Sequence, residues 1–297
     1  MRRFGLKQLK GNFVLPSVAT EKSFDASYCS DNPPPVVISA FADGRYAGNP
    51  AAVAFYDRFP KASECLDLAK RLRQPVTAFL RPLRESGHYQ IRWFTQNVEL
   101  DLCGHATLAA TYWLFHCGLN ETDRVVYHSR SGPLYAWLED DIVKLSLPAI
   151  EMSPANSADY EAVQRCMGVR AKEIWKAYDD YVVVVDGEAI VLDFQPDIER
   201  IRQIECRGIA LSSAVDPIGA LQEFDIVSRF FSPRIAINED EVCVSAHCKL
   251  YPYWAKVTGK KHLRALQASH RGGVLELGSL DGRVIVGGRA KLAQKDA

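Results

Sequence analysis

Glu99-Leu-Asp-Leu-Cys-Gly-His-Ala-Thr-Leu-Ala-Ala-Thr-Tyr-Trp-Leu-Phe-His-Cys-Gly118 begins as a loop and becomes a helix that is apolar on nearly every face. A helix with no polar side has no face to give to solvent, so it belongs inside something. Gly118 ends it. An ungapped shift of 140 residues lays this segment on a second one: Glu99 falls on Glu239, Cys103 on Cys243 and Ala106 on Ala246. Further along, Ser129 falls on Ser269, Gly132 on Gly272, Leu134 on Val274 and Asp141 on Asp281. The order of loop, cysteine, buried helix, glycine turn and strand pair is the same in both copies. Matching order over roughly 50 residues points to duplication. Two copies predict a pseudo-twofold pair of lobes closing on a shared cleft, with a cysteine at each of two equivalent helix starts.

The rest of the chain fits an α+β arrangement around those helices. Short strands are expected at Val36–Phe41, Ala51–Phe55, Val76–Leu80 and Tyr89–Phe94, with a helix from Ala62 to Arg73 ended by Pro75. The second half predicts helices at Asp159–Cys166 and Asp197–Ile204. Its expected strands are Ile174–Tyr178, Tyr181–Val185, Ala189–Leu192 and one ending Ser228-Arg-Phe-Phe, then the helix Ser245–Val257 and three closing strands. The expected domains are an extension over 1–35, one lobe over 36–148 and a second over 149–297.

Composition narrows the function. The 297 residues carry 36 Lys and Arg against 36 Asp and Glu, a formal net charge of zero, with 47% hydrophobic residues. No basic excess argues for nucleic acid or an anionic membrane surface. No segment approaches the ~20 apolar residues that span a bilayer. The reading is a cytoplasmic protein that works on a small molecule. Eight cysteines without a CxxC pair predict reduced thiols, neither a disulfide scaffold nor a metal site. Tyr251, Tyr253 and Trp254 read as lobe core, and Arg271-Gly-Gly273 lacks the context of a phosphate loop.

Ala47-Gly-Asn-Pro50, Phe94-Thr-Gln-Asn-Val-Glu-Leu-Asp-Leu-Cys-Gly-His-Ala-Thr107 and Ser228-Arg-Phe-Phe-Ser-Pro233 occur in that order. With Glu239-Asp240, Ser245-Ala-His247 and Ser269-His-Arg-Gly-Gly273, the set resembles the PhzF-like family of the diaminopimelate-epimerase fold. The resemblance runs from residue 36 to the C-terminus. It implies two lobes, each a β-barrel-like sheet wrapped around a central helix, with a cleft between them. It also implies proton transfer without a cofactor or metal, on a substrate bearing a carboxylate, and a homodimer.

Two departures from the family pattern matter. Its Ser-Glu-Thr-Ala-Phe motif, whose Glu shuttles the proton, corresponds here to Pro75-Val76-Thr77-Ala78-Phe79, and valine moves no proton. Its Asp-Pro-x-Thr-Gly-Ser corresponds to Asp240-Glu-Val-Cys-Val-Ser245, so a threonine position holds Cys243 and a glycine position holds Val244. In the racemase branch of the fold, two cysteines at the two helix starts face each other and exchange a proton. Cys103 and Cys243 take those places by resemblance. A helix start offers free N–H groups and partial positive charge, which favour a thiolate and a bound carboxylate. Against this stands the frequency of buried, inert cysteine.

His105 reads either as a carboxylate donor or acid/base, or as a cap or core residue. Asp240 either orients a substrate amine or hydroxyl or is an ordinary loop acid. Asn49 either reaches the cleft or serves its Asn-Pro turn, and Ser245 is either a substrate contact or an N-cap. Gly104, Val76 and Gly272 join Asn49 and Ser245 as implied substrate-lining positions. The leading expectation is an epimerase or racemase using Cys103 and Cys243. The alternatives are a double-bond isomerase or cyclase using His105 or Asp240, and a binding protein without catalysis.

Overall fold

The computed structural model describes residues 33–293, so all but the last three residues of the expected extension, 1–35, lie outside the described residues. The first half runs β1 (Val36–Ala40), β2 (Asn49–Phe55), α1 (Ala62–Leu72), β3 (Thr77–Pro82), β4 (His88–Phe94) and β5 (Glu99–Leu100). It continues through α2 (Gly104–His116), β6 (Val125–Ser129), β7 (Gly132–Glu139) and β8 (Ile142–Pro148). Next come β9 (Ser153–Pro154), α3 (Ser157–Met167), β10 (Glu173–Lys176), β11 (Asp180–Val184), α4 (Glu188–Leu192) and α5 (Ile198–Arg202). The chain ends with β12 (Gly208–Ala214), β13 (Ile226–Phe231), α6 (Val244–Thr258), β14 (Leu263–Gln267), β15 (Gly273–Leu280), β16 (Arg283–Gly288) and β17 (Ala290–Leu292).

The duplication seen in the sequence is a duplication of topology. From β1 through β2, β3, β4, β6, β7 to β8, neighbouring strands pair antiparallel, parallel, antiparallel, parallel, antiparallel, antiparallel. From β10 through β11, β12, β13, β14, β15 to β16 the same six relations recur in the same order. The lobes then trade their final strands. β8 pairs with β16, the chain beyond β8 continues as β9 onto β10, and the chain beyond β16 continues as β17 onto β1. Each sheet is thus closed by a strand of the other, and all seventeen strands form one connected sheet. Closure leaves few bare edges to template unwanted pairing.

The two central helices fill the sheets. In α2, nine of thirteen residues are buried, and Thr111 Oγ1 meets Tyr127 Oη at 2.9 Å in the core. α6 buries His247 and the charged Lys249, at 0% and 1% exposure. Strand β4 shows how the sheet is specified: Tyr89, Ile91 and Trp93 alternate into the core while His88, Gln90 and Arg92 do not.

One expected strand is corrected. Ala189–Leu192 lies in the short helix α4, not a strand. A four-residue apolar run fits either period, and length alone decides poorly. The third strand of that lobe is instead β12, Gly-Ile-Ala-Leu-Ser-Ser-Ala, six of whose seven residues are buried. A strand covered on both faces shows no alternation to read.

Candidate active site

Cys103 and Cys243 are the N-caps of α2 and α6, both with extended backbone (φ −144°, ψ 106° and φ −97°, ψ 100°). The two starts are built alike. Four residues in, a side chain binds the cap carbonyl: Thr107 Oγ1 donates to Cys103 O at 2.6 Å, and His247 Nδ1 donates to Cys243 O at 2.8 Å. Two residues in, a side chain meets the sulfur: His105 Nδ1 lies 3.5 Å from Cys103 Sγ, and Ser245 Oγ lies 3.4 Å from Cys243 Sγ. Upstream of each cap, an arginine grips a glutamate of the approaching loop. Arg92 holds Glu99 bidentately at 2.7 and 2.8 Å, and Arg229 holds Glu239 at 2.7 and 2.9 Å.

The helix starts meet head to head. A Cβ placed on Gly104 would stand 2.5 Å from the Val244 side chain, so the first residue of α2 lies against the first residue of α6. This is the physical reason for glycine at 104. The isopropyl group of Val244 occupies the space a second glycine would leave.

Asp240 joins the pair from one side. Its carboxylate accepts from Asn49 Nδ2 at 2.9 Å and from the Val242 backbone N–H at 3.3 Å, and it receives the Cys243 thiol. Asn49 begins β2 in the other lobe and is 1% exposed, so this contact crosses the cleft. The loop carrying Asn49 is stitched in place. Ala47 and Gly48 N–H groups donate to Arg271 O and Gly272 O at 2.9 Å each, and Arg271 Nε returns a bond to Gly48 O at 2.7 Å. Gly48 has φ +70°, and a Cβ there would lie 2.2 Å from Ala40 O, so only glycine fits.

Burial governs the protonation of the site. It pushes the Cys103 thiol up to about 12, against the Ala106 and His105 backbone N–H groups. It pushes Cys243 up to about 11, with the Asp240 charge adding to it and Arg207 opposing. The thiolates expected at open helix starts are therefore corrected to buried thiols, 8% and 4% exposed, because desolvation outweighs the helix field. Burial also raises Asp240 to about 6, opposed by its hydrogen bonds to Val242, Cys243 and Asn49 and by the Arg207 charge. It lowers His105 to about 4, leaving a neutral imidazole beside Cys103. Each thiol thus has a base within reach: His105 for Cys103 and Asp240 for Cys243.

The structure brings together Cys103, Cys243, His105, Asp240, Asn49, Gly104 and Ser245, with Gly272 bracing the Asn49 loop. Ser245 is not an N-cap: it is the second residue of α6, and Cys243 caps it without a side-chain bond. Val76 shares the apolar cluster that holds both cysteines, and its carbonyl accepts the Ala52 N–H at 3.0 Å.

Two residues that the sequence left unmarked complete the site. Gln267 accepts the Cys243 N–H at 2.8 Å and donates to Asp240 O at 2.6 Å. Arg207 donates to Ser245 Oγ at 3.0 Å. Both come from strand ends whose register only pairing reveals. Six cysteines among the described residues are free thiols, whereas Cys117 is disulfide-bonded, which corrects the expectation of thiols throughout. Among the described residues no group of three or more His, Cys, Asp or Glu is arranged to hold a metal ion, and no helix is long and apolar enough to cross a membrane.

Two lobes bring opposed helix starts and acid/base side chains together, and curated relatives that match most of the chain are named isomerases. The family model for phenazine biosynthesis-like proteins matches residues 38–295, and the chain belongs to that family. It is 38% identical to an uncharacterized isomerase of Pseudomonas aeruginosa over 86% of this chain and 94% of that one. It is 32% identical to the human phenazine biosynthesis-like domain-containing protein over 86% of this chain and 96% of that one. A crystal structure of a PhzF-family protein from Enterococcus faecalis superposes with TM-score 0.78 at 33% identity, covering 88% of this chain and 96% of the other. The structure of a probable proline racemase from Agrobacterium radiobacter shares the fold, at TM-score 0.55 and 12% identity.

Proposed function

We propose that the protein moves a proton at a carbon α to a carboxylate, inverting it without a cofactor, with Cys103 and Cys243 acting from opposite faces. The observation that carries the reading is the head-to-head packing of two cysteine-capped helix starts, each sulfur beside its own base. Asp240 takes the Cys243 proton, or His105 takes that of Cys103, and the thiolate so formed removes the α-hydrogen. The opposite thiol delivers its proton to the other face, so one proton leaves the substrate and one arrives. Backbone N–H groups at the two starts hold the carboxylate and stabilise the negative charge that develops on it. The test is solvent deuterium wash-in at the α-carbon across a panel of chiral 2-amino and 2-hydroxy acids. Exchange accompanied by inversion supports the reading, and exchange with strict retention removes it.

Asp240 favours a second reading. A carboxyl near 6 suits proton transfer at neutral pH better than thiols near 11 and 12. In that reading Asp240 and His105 shift a double bond and the sulfurs only pack. Where Asp240 is the base it must be ionised, so that activity falls as pH drops through about 6. Asp240→Asn removes that base, so the rate falls at every pH, and what His105 still carries shows no acid limb near 6. The sign for stability is the reverse. A carboxyl whose folded pKa is raised favours the folded state when protonated, and loses that contribution as pH rises through about 6. Asp240→Asn therefore stabilises by about 1–2 kcal/mol at pH 8, allowing for its partial exposure, as read by urea unfolding.

A further inference from the structure

We infer that Arg207 forms a subsite for a second acidic group, so that the substrate is a dicarboxylate, one carboxylate held at the helix starts and the other on this guanidinium. The inference rests on the proposed site for the first carboxylate.

Arg207 is held on several sides. Nε donates to Asp179 Oδ2 at 2.9 Å, Nη2 donates to Asp180 and to Ser245 Oγ, and Cζ lies 5.2 Å from the Phe230 ring centroid. Among the described residues Nη1 makes no hydrogen bond. The side chain is 29% exposed, so a ligand has access to it. Behind it, Lys249 at 1% exposure pairs with Asp180 at 0% and with Asp179 at 3.4 Å. Two cations and two acids balance there, which fixes the guanidinium in place before any ligand arrives. An arginine so anchored loses little side-chain freedom on binding, and its planar fork matches a carboxylate.

Its place relative to the chemistry is set by one hydroxyl. Ser245 Oγ touches both Arg207 Nη2, at 3.0 Å, and Cys243 Sγ, at 3.4 Å. The subsite also gives the cleft a hand. Arg207 immediately precedes β12, the third strand of its lobe, and the residue immediately preceding β3 in the other lobe is Val76. One wall is charged and its counterpart is apolar, so a substrate with one acidic and one apolar arm lies in a single orientation between the two sulfurs.

Binding measured by calorimetry with succinate and butyrate, equal in chain length, tests this without turnover. Succinate is expected to bind the full-length protein at least about tenfold more tightly than butyrate. Arg207→Met brings the two within about twofold. Arg207→Lys, which keeps the charge but cannot hold Asp179 and Ser245 while offering a further nitrogen, leaves less than about threefold. Thermal melts establish that each variant is folded. Equal binding of the two acids to the unmodified protein, or no succinate binding at all, overturns the subsite. So does a tenfold preference that survives in the folded Lys variant. The double variant Cys103→Ser, Cys243→Ser retains the preference, so loss of the thiol mechanism and loss of the subsite are read separately.

Discussion

Cys243→Ser is expected to lower α-hydrogen exchange with solvent by about a thousandfold, and Cys103→Ser by a similar factor. A serine hydroxyl is far less acidic than a thiol, and Asp240 cannot ionise it usefully at neutral pH. The substitution is nearly isosteric, so the fold should remain and the melting temperature should barely move. Each removes the acid/base on one face, so each blocks transfer in one direction and starves return from the other. A Cys243→Ser enzyme that exchanges at the parental rate would defeat the two-thiol reading and leave Asp240 as the working base. Alkylation by iodoacetamide at pH 7 gives a second view. With both sulfurs buried and protonated at rest, Cys103 and Cys243 should react slowly in the free protein and faster as pH rises towards 11.

Lys249→Met should be the most destabilising of the changes considered, by about 3–5 kcal/mol in urea unfolding at pH 7. Lys249 lies within α6 and meets Asp180, whose side chain is fully buried and whose Oδ1 has no hydrogen-bond partner. Removing the ammonium leaves a carboxylate in a low-dielectric interior with Arg207 as its only remaining cation. The double variant Asp180→Asn, Lys249→Met should recover much of the loss, because the uncompensated charge has gone. If the single variant costs less than about 1 kcal/mol, the cluster is better solvated than its burial implies, and the anchoring of Arg207 weakens with it. The two predictions address different parts of one site: the sulfurs supply the chemistry, and the ion cluster behind α6 holds the wall beside it.

The sequence by itself determined the duplication, the two buried helices and the cysteine at each start. Those features are local in period: an all-apolar helix, a glycine stop, and a repeat that survives a rigid shift of 140 residues. Cys103, Cys243, His105, Asp240, Asn49, Gly104 and Ser245 were legible through the motifs that resemble the family's, which lie at the helix starts and a tight turn. Tertiary structure decided the rest. The pairing of β8 with β16, which joins the lobes, spans some 140 residues of chain. β12 was hidden because a strand buried on both faces loses its alternation. Arg207 and Gln267 reach the site through strand register, which no neighbouring residue announces. The charge state of the thiols was likewise beyond the sequence. A helix start favours a thiolate, but Val244 against Gly104 and Asp240 against Cys243 close that start from water, and desolvation decides the outcome.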